Sequence, residues 1–355
     1  MNSSPRLEAF FTREWQRNSP WQILLRPISW LFGLVAGLRR AMFRAGLLKI
    51  QHLKVPVVVV GNICVGGTGK TPLVMAVVHW LQEHGYRPGI VSRGYGSLAE
   101  KTGQSHEVAT SDDAAAAKFG DEPVMLVLRL GCPMFVGADR ARAATSLLAA
   151  HPEVNVIVSD DGLQHYAMHR DVEIALVDGS RGFGNGALLP AGPLREPVRR
   201  LFRVSAVVAN GTGRRFKQAM PSLLGMTLGN ERFVPMAGGE ELDLETFRAF
   251  VEGKSLHLLA GTGNPQRFFS HLHRHGFVTS DHPLDDHHRF RREDIEYPGI
   301  VLMTEKDAVK CRQWADQRHW FMRVDAQLPV NFYTLLHARL ADWKIAAGRR
   351  AEGKS

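Results

Sequence analysis

The sequence predicts an α/β protein: a mainly parallel sheet with helices on both faces, a second smaller α/β domain, and an apolar N-terminal helix. Three observations carry that expectation. The run Val57-Val58-Val59-Val60 leads directly into a glycine-rich turn and then an apolar-periodic stretch from Leu73 to Leu81, the order strand, turn, helix. Apolar runs recur at 89–92, 134–136, 154–160, 172–178 and 204–209, continuous rather than alternating, as strands buried on both faces are. Helical stretches fall between several of them; residues 138–150, for example, are rich in alanine and leucine with Arg140 and Arg142 on the polar side.

The chain has 355 residues, 45% of them hydrophobic, which suits a globular protein large enough for two domains. Its three cysteines, Cys64, Cys132 and Cys311, lie far apart and form no C-x-x-C pair, so neither a disulfide framework nor a zinc cluster is expected, and a reducing cytosol fits. The net charge of +9 raises nucleic acid, an anionic membrane or a phosphorylated substrate as partners. Residues 1–50 hold eight arginines and lysines against two glutamates, and no nucleic-acid-reading motif accompanies them.

Within that front segment the stretch from Trp21 to Leu38 is strongly apolar, but Arg26 and Pro27 interrupt it. The uninterrupted part falls short of the ~20 residues a spanning helix needs. A signal peptide would place its charges first and end in a small-residue cleavage site. With Trp21 and Trp30 as anchors and Arg39, Arg40 and Arg44 following, a basic amphipathic helix lying in the membrane surface is expected; a core-packing helix is the plainer alternative.

The turn after the first strand reads Cys64-Val65-Gly66-Gly67-Thr68-Gly69-Lys70-Thr71. Its glycines let the backbone turn its N–H groups inward at the start of a helix, a phosphate cradle of P-loop NTPase type. In that role Lys70 reaches the β- and γ-phosphates and the Thr71 hydroxyl holds Mg²⁺. Cys64 stands where the general G-x-x-x-x-G-K-S/T pattern has its first glycine, and Gly66 and Gly67 are expected to do that work. The strand at 154–160 ends in Asp160-Asp161, carboxylates that a doubly wound sheet delivers to its ligand-binding edge, where Mg²⁺ needs oxygen donors. Gln164 and His165 follow them, suited to substrate contacts or equally to a solvated loop.

Other constellations are less specific. Gly120-Asp121-Glu122-Pro123 precedes an apolar helix at 124–130, and capping is the default role for Asp121 there. Ser92-Arg93-Gly94-Tyr95-Gly96 and the rigid loop 190–197, with Arg195 and Glu196, could serve a site or be structural. Glycines and prolines punctuate 211–240, which reads as a domain junction. Beyond it, strands at 256–260, 299–304 and 320–324 with a helix at 265–275 make the smaller domain, which carries Leu284-Asp285-Asp286-His287-His288-Arg289-Phe290 and Thr304-Glu305-Lys306-Asp307. The expected boundaries are 1–50 for the membrane segment, 51–220 for the nucleotide-binding core, 221–240 for the linker, 241–345 for the second domain and 346–355 for a frayed tail.

Taken together these motifs resemble the tetraacyldisaccharide 4′-kinase family of lipid A synthesis. The likeness runs from the N-terminal helix to about residue 340 and rests on Gly61-Asn62 through Thr71-Pro72, the 92–96, 120–123 and 189–197 segments, Gly137-Ala138-Asp139-Arg140, Asp160-Asp161-Gly162-Leu163-Gln164-His165, Asp286-His287 and Thr304-Glu305-Lys306-Asp307. Members commonly lack the glycine that Cys64 replaces.

The resemblance implies ATP and Mg²⁺, and transfer of the γ-phosphate to the 4′-hydroxyl of a tetraacyldisaccharide 1-phosphate, giving lipid IVA. It implies Asp121 as general base with His287 as its partner, assembled by domain closure. Lys70 neutralises the phosphoryl charge, and Thr71, Asp160 and Asp161 serve the metal. Tyr95, Glu122, Arg140, Gln164, His165, Arg195 and Glu196 are the implied substrate contacts. The implied location is the cytoplasmic face of the bacterial inner membrane, peripheral, with no nucleic acid and no obligate protein partner. The alternative is a membrane-associated P-loop ATPase switch with water as acceptor. A GTPase is disfavoured, because Glu305-Lys306-Asp307 lacks both the asparagine and the spacing of a base-reading Asn-Lys-x-Asp.

Overall fold

In the computed structural model the described residues are 14–15, 20–94, 97, 100, 102–110, 114–211, 223–286 and 288–352. In chain order they form α1 (Pro20–Arg44), β1 (Val57–Gly61), α2 (Lys70–Glu83), β2 (Pro88–Ser92), β3 (His106–Glu107), α3 (Ala115–Phe119), α4 (Asp121–Leu130), β4 (Met134–Val136), α5 (Arg140–Ala150), β5 (Val156–Asp160), β6 (Val172–Asp178), β7 (Ala206–Asn210), β8 (Leu223–Pro235), α6 (Leu244–Val251), β9 (Leu256–Ala260), α7 (Pro265–Arg274), β10 (Ser280–Pro283), β11 (Ile300–Thr304), α8 (Glu305–Cys311), β12 (His319–Gln327) and α9 (Val330–Glu352). They fold as two compact units, the first from Met1–Arg93, Asp139–Thr227 and Gln327–Ser355, the second from Gly94–Ala138 and Leu228–Ala326.

In the first unit the strands run in the order β8, β7, β6, β1, β5, β2, all parallel. β1 is central: Val58 stands in register with Val158 on one side and Val172 on the other. Every residue of β1, β2, β5 and β7 is buried, which accounts for their unbroken apolar character. α2 covers β1 and β5 with Leu73, Val74, Val77, Val78 and Leu81, all fully buried. α5 packs on β2 so closely that a Cβ at Gly89 would come within 2.6 Å of the Leu147 side chain, which fixes glycine at that point of the strand.

The second unit repeats the logic at smaller scale. Its strands follow the order β10, β9, β11, β12, β8, with the β10, β9, β11 and β12 pairings parallel, while β3 and β4 form a short antiparallel pair. Its core is aromatic: Phe233 and Phe247 stack at 4.0 Å, and Phe269, Leu258, Leu302 and Trp320 close around them.

Three sequence expectations change. The domains are not consecutive: residues 94–138 belong with 228–326, and residues 327–355 belong with the first unit. A stretch-by-stretch reading has no means of seeing an excursion that leaves one core and returns to it. The expected linker at 221–240 is largely the strand β8, within which the chain passes from the first unit to the second; its glycines Gly225 and Gly229 are tolerated in an extended run. Finally, Pro27 does not break the front helix. α1 runs 25 residues through it, long and apolar enough by length and composition to cross a membrane, and α9 likewise continues through the expected tail to Glu352.

Candidate active site

In the first unit the turn between β1 and α2 has the backbone its glycines foretell. Gly66 and Gly69 take φ values of 98° and 84°, in the left-handed region. Gly69 caps α2 with no side chain bonded to the helix start, so the first-turn N–H groups are not consumed by a cap. Two asparagines set the shape of the turn. Asn62 Nδ2 donates to Thr68 Oγ1 at 3.1 Å, and Asn210 Nδ2, from the end of β7, donates to the Thr68 carbonyl at 3.0 Å. A Cβ on Gly67 would meet nothing within 4 Å, leaving an open cradle, whereas one on Gly69 would collide with Asn210.

The loop 189–197 braces this turn. Val65 N donates to the Pro193 carbonyl at 2.8 Å, Arg195 N donates to the Ile63 carbonyl at 2.7 Å, and Cys64 bridges Leu194 in antiparallel register. The Cys64 thiol is buried and points to the Gly182 carbonyl at 3.8 Å; burial pushes its pKa up to about 11, so it stays protonated. Cys64 is therefore a buried, protonated thiol packed at the start of the glycine turn. The same loop holds α1. Ser29 Oγ, buried in that helix, donates to the Leu188 carbonyl and accepts from Ala191 N, both at 2.9 Å, and Gly33 lies so close that a Cβ would stand 2.6 Å from Leu188.

At the carboxyl end of β5, Asp160 is buried and accepts from Ser92 Oγ, at the end of β2, at 3.2 Å. Asp161 turns out of the strand with φ 48°, unusual for a residue with a side chain. Its carboxylate lies 3.5 Å from Lys70 Nζ and 3.1 Å from Arg195 Nη1. Burial pushes the Asp161 pKa up, but Lys70 and Arg195 outweigh it and hold the group below the ordinary carboxylate value. Gln164 joins the cluster, donating to the Asn62 carbonyl at 3.0 Å and accepting from Arg195 at 3.4 Å.

Around it, His165 Nε2 is 3.5 Å from Asp139, whose carboxylate caps α5 through Ala141 N and Arg142 N. Burial first and the charge of Arg140 second pull the His165 pKa down to about 4, so its ring is neutral at physiological pH. Arg140 is itself buried. Glu196 is committed elsewhere: it accepts from the Tyr166 hydroxyl and pairs with Arg200 at 3.6 Å, in a buried network that also takes in Glu173.

In the second unit α4 opens on Asp121 and Glu122, with Gly120 at the cap position and no side-chain cap bond. Asp121 is thus not the N-cap. Its carboxylate lies 3.8 Å from Lys310 Nζ, which also holds the fully buried Asp307 at 2.8 Å. Lys306, one helical turn earlier on α8, pairs with Asp286 at 3.1 Å. Burial works against its charge, but Glu122, Asp286 and Asp121 outweigh it and raise its pKa. Asp307 is fixed by Gly261 N and the Thr304 hydroxyl at 2.9 and 2.7 Å. Four carboxylates, Asp121, Glu122, Asp286 and Asp307, gather around two lysines one turn apart, an excess of negative charge. His287 and Tyr95 lie outside the described residues.

Sequence reasoning missed Asn210, Arg181 and Lys310. Arg181 Nη1 would lie 3.6 Å from a Cβ on Gly66, and with Asp178, Val65 and Thr68 it lines a cleft of about 40 Å³ beside the turn. The signals were faint: one asparagine ending an apolar strand, and an i,i+4 lysine pair after Thr304.

The chain matches the family model for tetraacyldisaccharide-1-P 4′-kinase over residues 21–341. The chain belongs to the tetraacyldisaccharide-1-P 4′-kinase family. Its activity is that family's phosphoryl transfer. The tetraacyldisaccharide 4′-kinase of Methylobacillus flagellatus is 48% identical over 335 residues, 92% of this chain and 95% of that one. The enzyme of that name from Shewanella amazonensis is 46% identical over 342 residues, 93% of this chain and 95% of its own. Among solved structures, LpxK from Aquifex aeolicus, crystallised in complex with ATP, superposes with a TM-score of 0.72 at 25% identity, covering 90% of this chain and 99% of the other. That likeness accords with the kinase family's α/β architecture and its glycine turn between β1 and α2.

Proposed function

We propose that this kinase transfers the γ-phosphoryl group of ATP to the 4′-hydroxyl of a tetraacyldisaccharide 1-phosphate through the residues around Lys70 and Asp161, with Asp121 as the base. The observation that carries the residue assignment is the convergence of Lys70, Asp161, Arg195 and Gln164 on the open glycine turn. The donor set fits ATP with Mg²⁺: unconsumed helix-start N–H groups for phosphate oxygens, and hard carboxylate and hydroxyl oxygens for the ion. When bound, the Mg²⁺–ATP pair supplies the phosphoryl group and neutralises charge as it passes to the acceptor.

Each of the protein's own residues takes one role in this proposal. Lys70 Nζ offers a fixed positive charge beside the cradle, and its ion pair with Asp161 keeps it aimed until a phosphate competes for it. Thr71, Asp160 and Asp161 would hold the metal. Arg195 and Gln164, tied to each other and to the turn, orient the sugar; Arg140 and the neutral His165 ring lie farther along the same edge as donors for it. Asp121 accepts the hydroxyl proton, with His287 as its partner, and Lys306 and Lys310 tune that carboxylate. Glu196 shapes the brace that carries Arg195.

α1 supports a peripheral place on the cytoplasmic face of the inner membrane. Ile23, Leu24, Trp30, Leu31, Leu34 and Leu38 are more than half exposed on a helix whose last turns carry Arg39, Arg40 and Arg44. A kinase lying there meets acyl chains where they already are; each CH₂ drawn into water costs about 0.8 kcal/mol.

The test is transfer of label from γ-³²P-ATP to a detergent-dispersed tetraacyldisaccharide 1-phosphate, beside Asp121→Ala. Labelled lipid that is nearly absent in the variant is the expected result. Labelled free phosphate without labelled lipid would overturn the acceptor assignment.

A further inference from the structure

α1 is not the whole of the exposed apolar surface on the first unit. Leu47, just past its end, is 73% exposed, and Phe202, in the 3-10 turn Val198–Arg203, is 71% exposed. Both sit beside arginines. A cavity of about 160 Å³ is lined by Arg40, Phe43, Arg44, Tyr166, His169 and Arg170. Arg170 is satisfied by Glu173 and by the Leu163 carbonyl, and the buried Arg200 by Glu173 and Glu196. Among the described residues, no carboxylate is within ion-pair distance of Arg40, Arg44 or Arg203.

Arg40 and Arg44 line the same cavity, and Arg203 directly follows the exposed Phe202. Burial and the like charges of Arg40, Arg203 and Arg200 pull the Arg44 pKa below its ordinary value. Holding uncompensated cations together costs energy that a bound anion returns. The cavity is smaller than the about 300–1,000 Å³ that encloses a drug-sized ligand, so it suits a single phosphodiester and not a nucleotide. A soluble anion would give no reason for an exposed leucine three residues after Arg44 and an exposed phenylalanine next to Arg203; a lipid supplies both the phosphate and the apolar layer.

We propose that Arg40, Arg44 and Arg203 form a binding site for the head-group phosphate of an anionic membrane phospholipid, with Leu47 and Phe202 inserted at the acyl boundary beside it. The site is separate from the cluster at Lys70 and Asp161, and it rests on the reading of α1 as a membrane-surface helix. It makes the contact two-footed: the apolar face of α1 is one foot, and the arginine cluster with Phe202 is the other.

The experiment is co-sedimentation of the full-length chain with vesicles of phosphatidylcholine alone and of phosphatidylcholine with phosphatidylglycerol. It compares the wild type with the triple variant R40Q/R44Q/R203Q and with Phe202→Ala. The wild type should prefer the anionic vesicles, and removing all three arginines should cut that preference by about a hundredfold. Phe202→Ala should weaken binding to both kinds of vesicle. Retained phosphoryl transfer on detergent-dispersed substrate shows that the variants are folded. An unchanged anionic preference in the triple variant would overturn the site while leaving the membrane reading of α1 standing. A wild type that binds neither vesicle would overturn both. Release from anionic vesicles by inorganic phosphate at matched ionic strength, with sodium chloride ineffective, would show a free-anion site and overturn the lipid assignment.

Discussion

Lys70 Nζ stands 3.5 Å from Asp161 Oδ1, so an ion pair ties the first residue of the helix after the glycine turn to the residue that follows β5. Arg195 closes the same carboxylate from the other side at 3.1 Å. Two cations on one acid leave the cluster net positive, a fit for a phosphate chain.

Lys70→Ala should therefore lower kcat/KM by a thousandfold or more while shifting stability by only about 1 kcal/mol, since the pair is partly exposed and Arg195 still serves Asp161. Steady-state kinetics and urea unfolding check the two halves. Turnover near wild type would remove Lys70 from the chemistry.

The glycines of the turn should divide. Gly69→Ala places a side chain at φ 84° against Asn210, and should destabilise the protein by about 1–2 kcal/mol or more. Gly67→Ala meets open space, so its melting temperature should stay near wild type while the KM for ATP rises, because the new methyl occupies the cradle. Equal effects in both variants would contradict this division.

Asp161 gives a pH signature. Its folded pKa lies below the unfolded value, so the stability it contributes is complete above about pH 4, the ordinary aspartate value, and is lost as pH falls through the folded pKa. The stability difference between wild type and Asp161→Asn should close as the pH is lowered through that window. A difference constant from pH 7 to pH 2 would rule out the ion pairs as its source.

His165 should titrate near pH 4 in the folded protein, against an ordinary value of 6.5. Because the folded state binds this proton more weakly than the unfolded one, stability declines as pH drops from about 6.5 toward 4. Histidine proton NMR, assigned with His165→Gln, reads the midpoint directly. A midpoint at 6.5 would mean that the ring is not buried beside Arg140 as described.

Lys310→Met should destabilise the second unit by about 3–5 kcal/mol, since it strips the cation from Asp307, which has no exposed surface. Guanidinium unfolding followed by the fluorescence of Trp320 measures it. A midpoint equal to that of wild type would show that Asp307 is carried by Gly261 N and Thr304 alone.

Much of this was legible in the chain. Val57-Val58-Val59-Val60 followed by glycines announces a central parallel strand and its cradle, because burial on both faces removes any alternation and tight turns need glycine. Asp160 and Asp161 could be placed at the ligand edge for the same topological reason. Asn210 and Lys310 could not: Asn210 acts on Thr68 and Lys310 joins its neighbour Asp307 to Asp121, both reaches of more than a hundred residues, and neither residue differs locally from a solvated one. The discontinuous units were hidden for a related cause, since Gly94 and Asp139 carry no break in composition where the chain changes core. Pro27 misled in the opposite direction. A proline inside a helix is penalised but not forbidden, and α1 absorbs it.

Ser29 of α1 and Val65 of the glycine turn are bonded to the same short loop, one at Leu188 and Ala191, the other at Pro193. On the proposed placement of α1 in the head-group layer, that loop would act as a ruler. A lipid can drift sideways, spin and wait, so its acceptor hydroxyl finds the correct lateral position by diffusion alone. What drifting does not adjust is altitude above the acyl chains, and on that placement the altitude of the phosphate cradle would be set by a few hydrogen bonds to one loop instead of by the chance depth at which the protein floats.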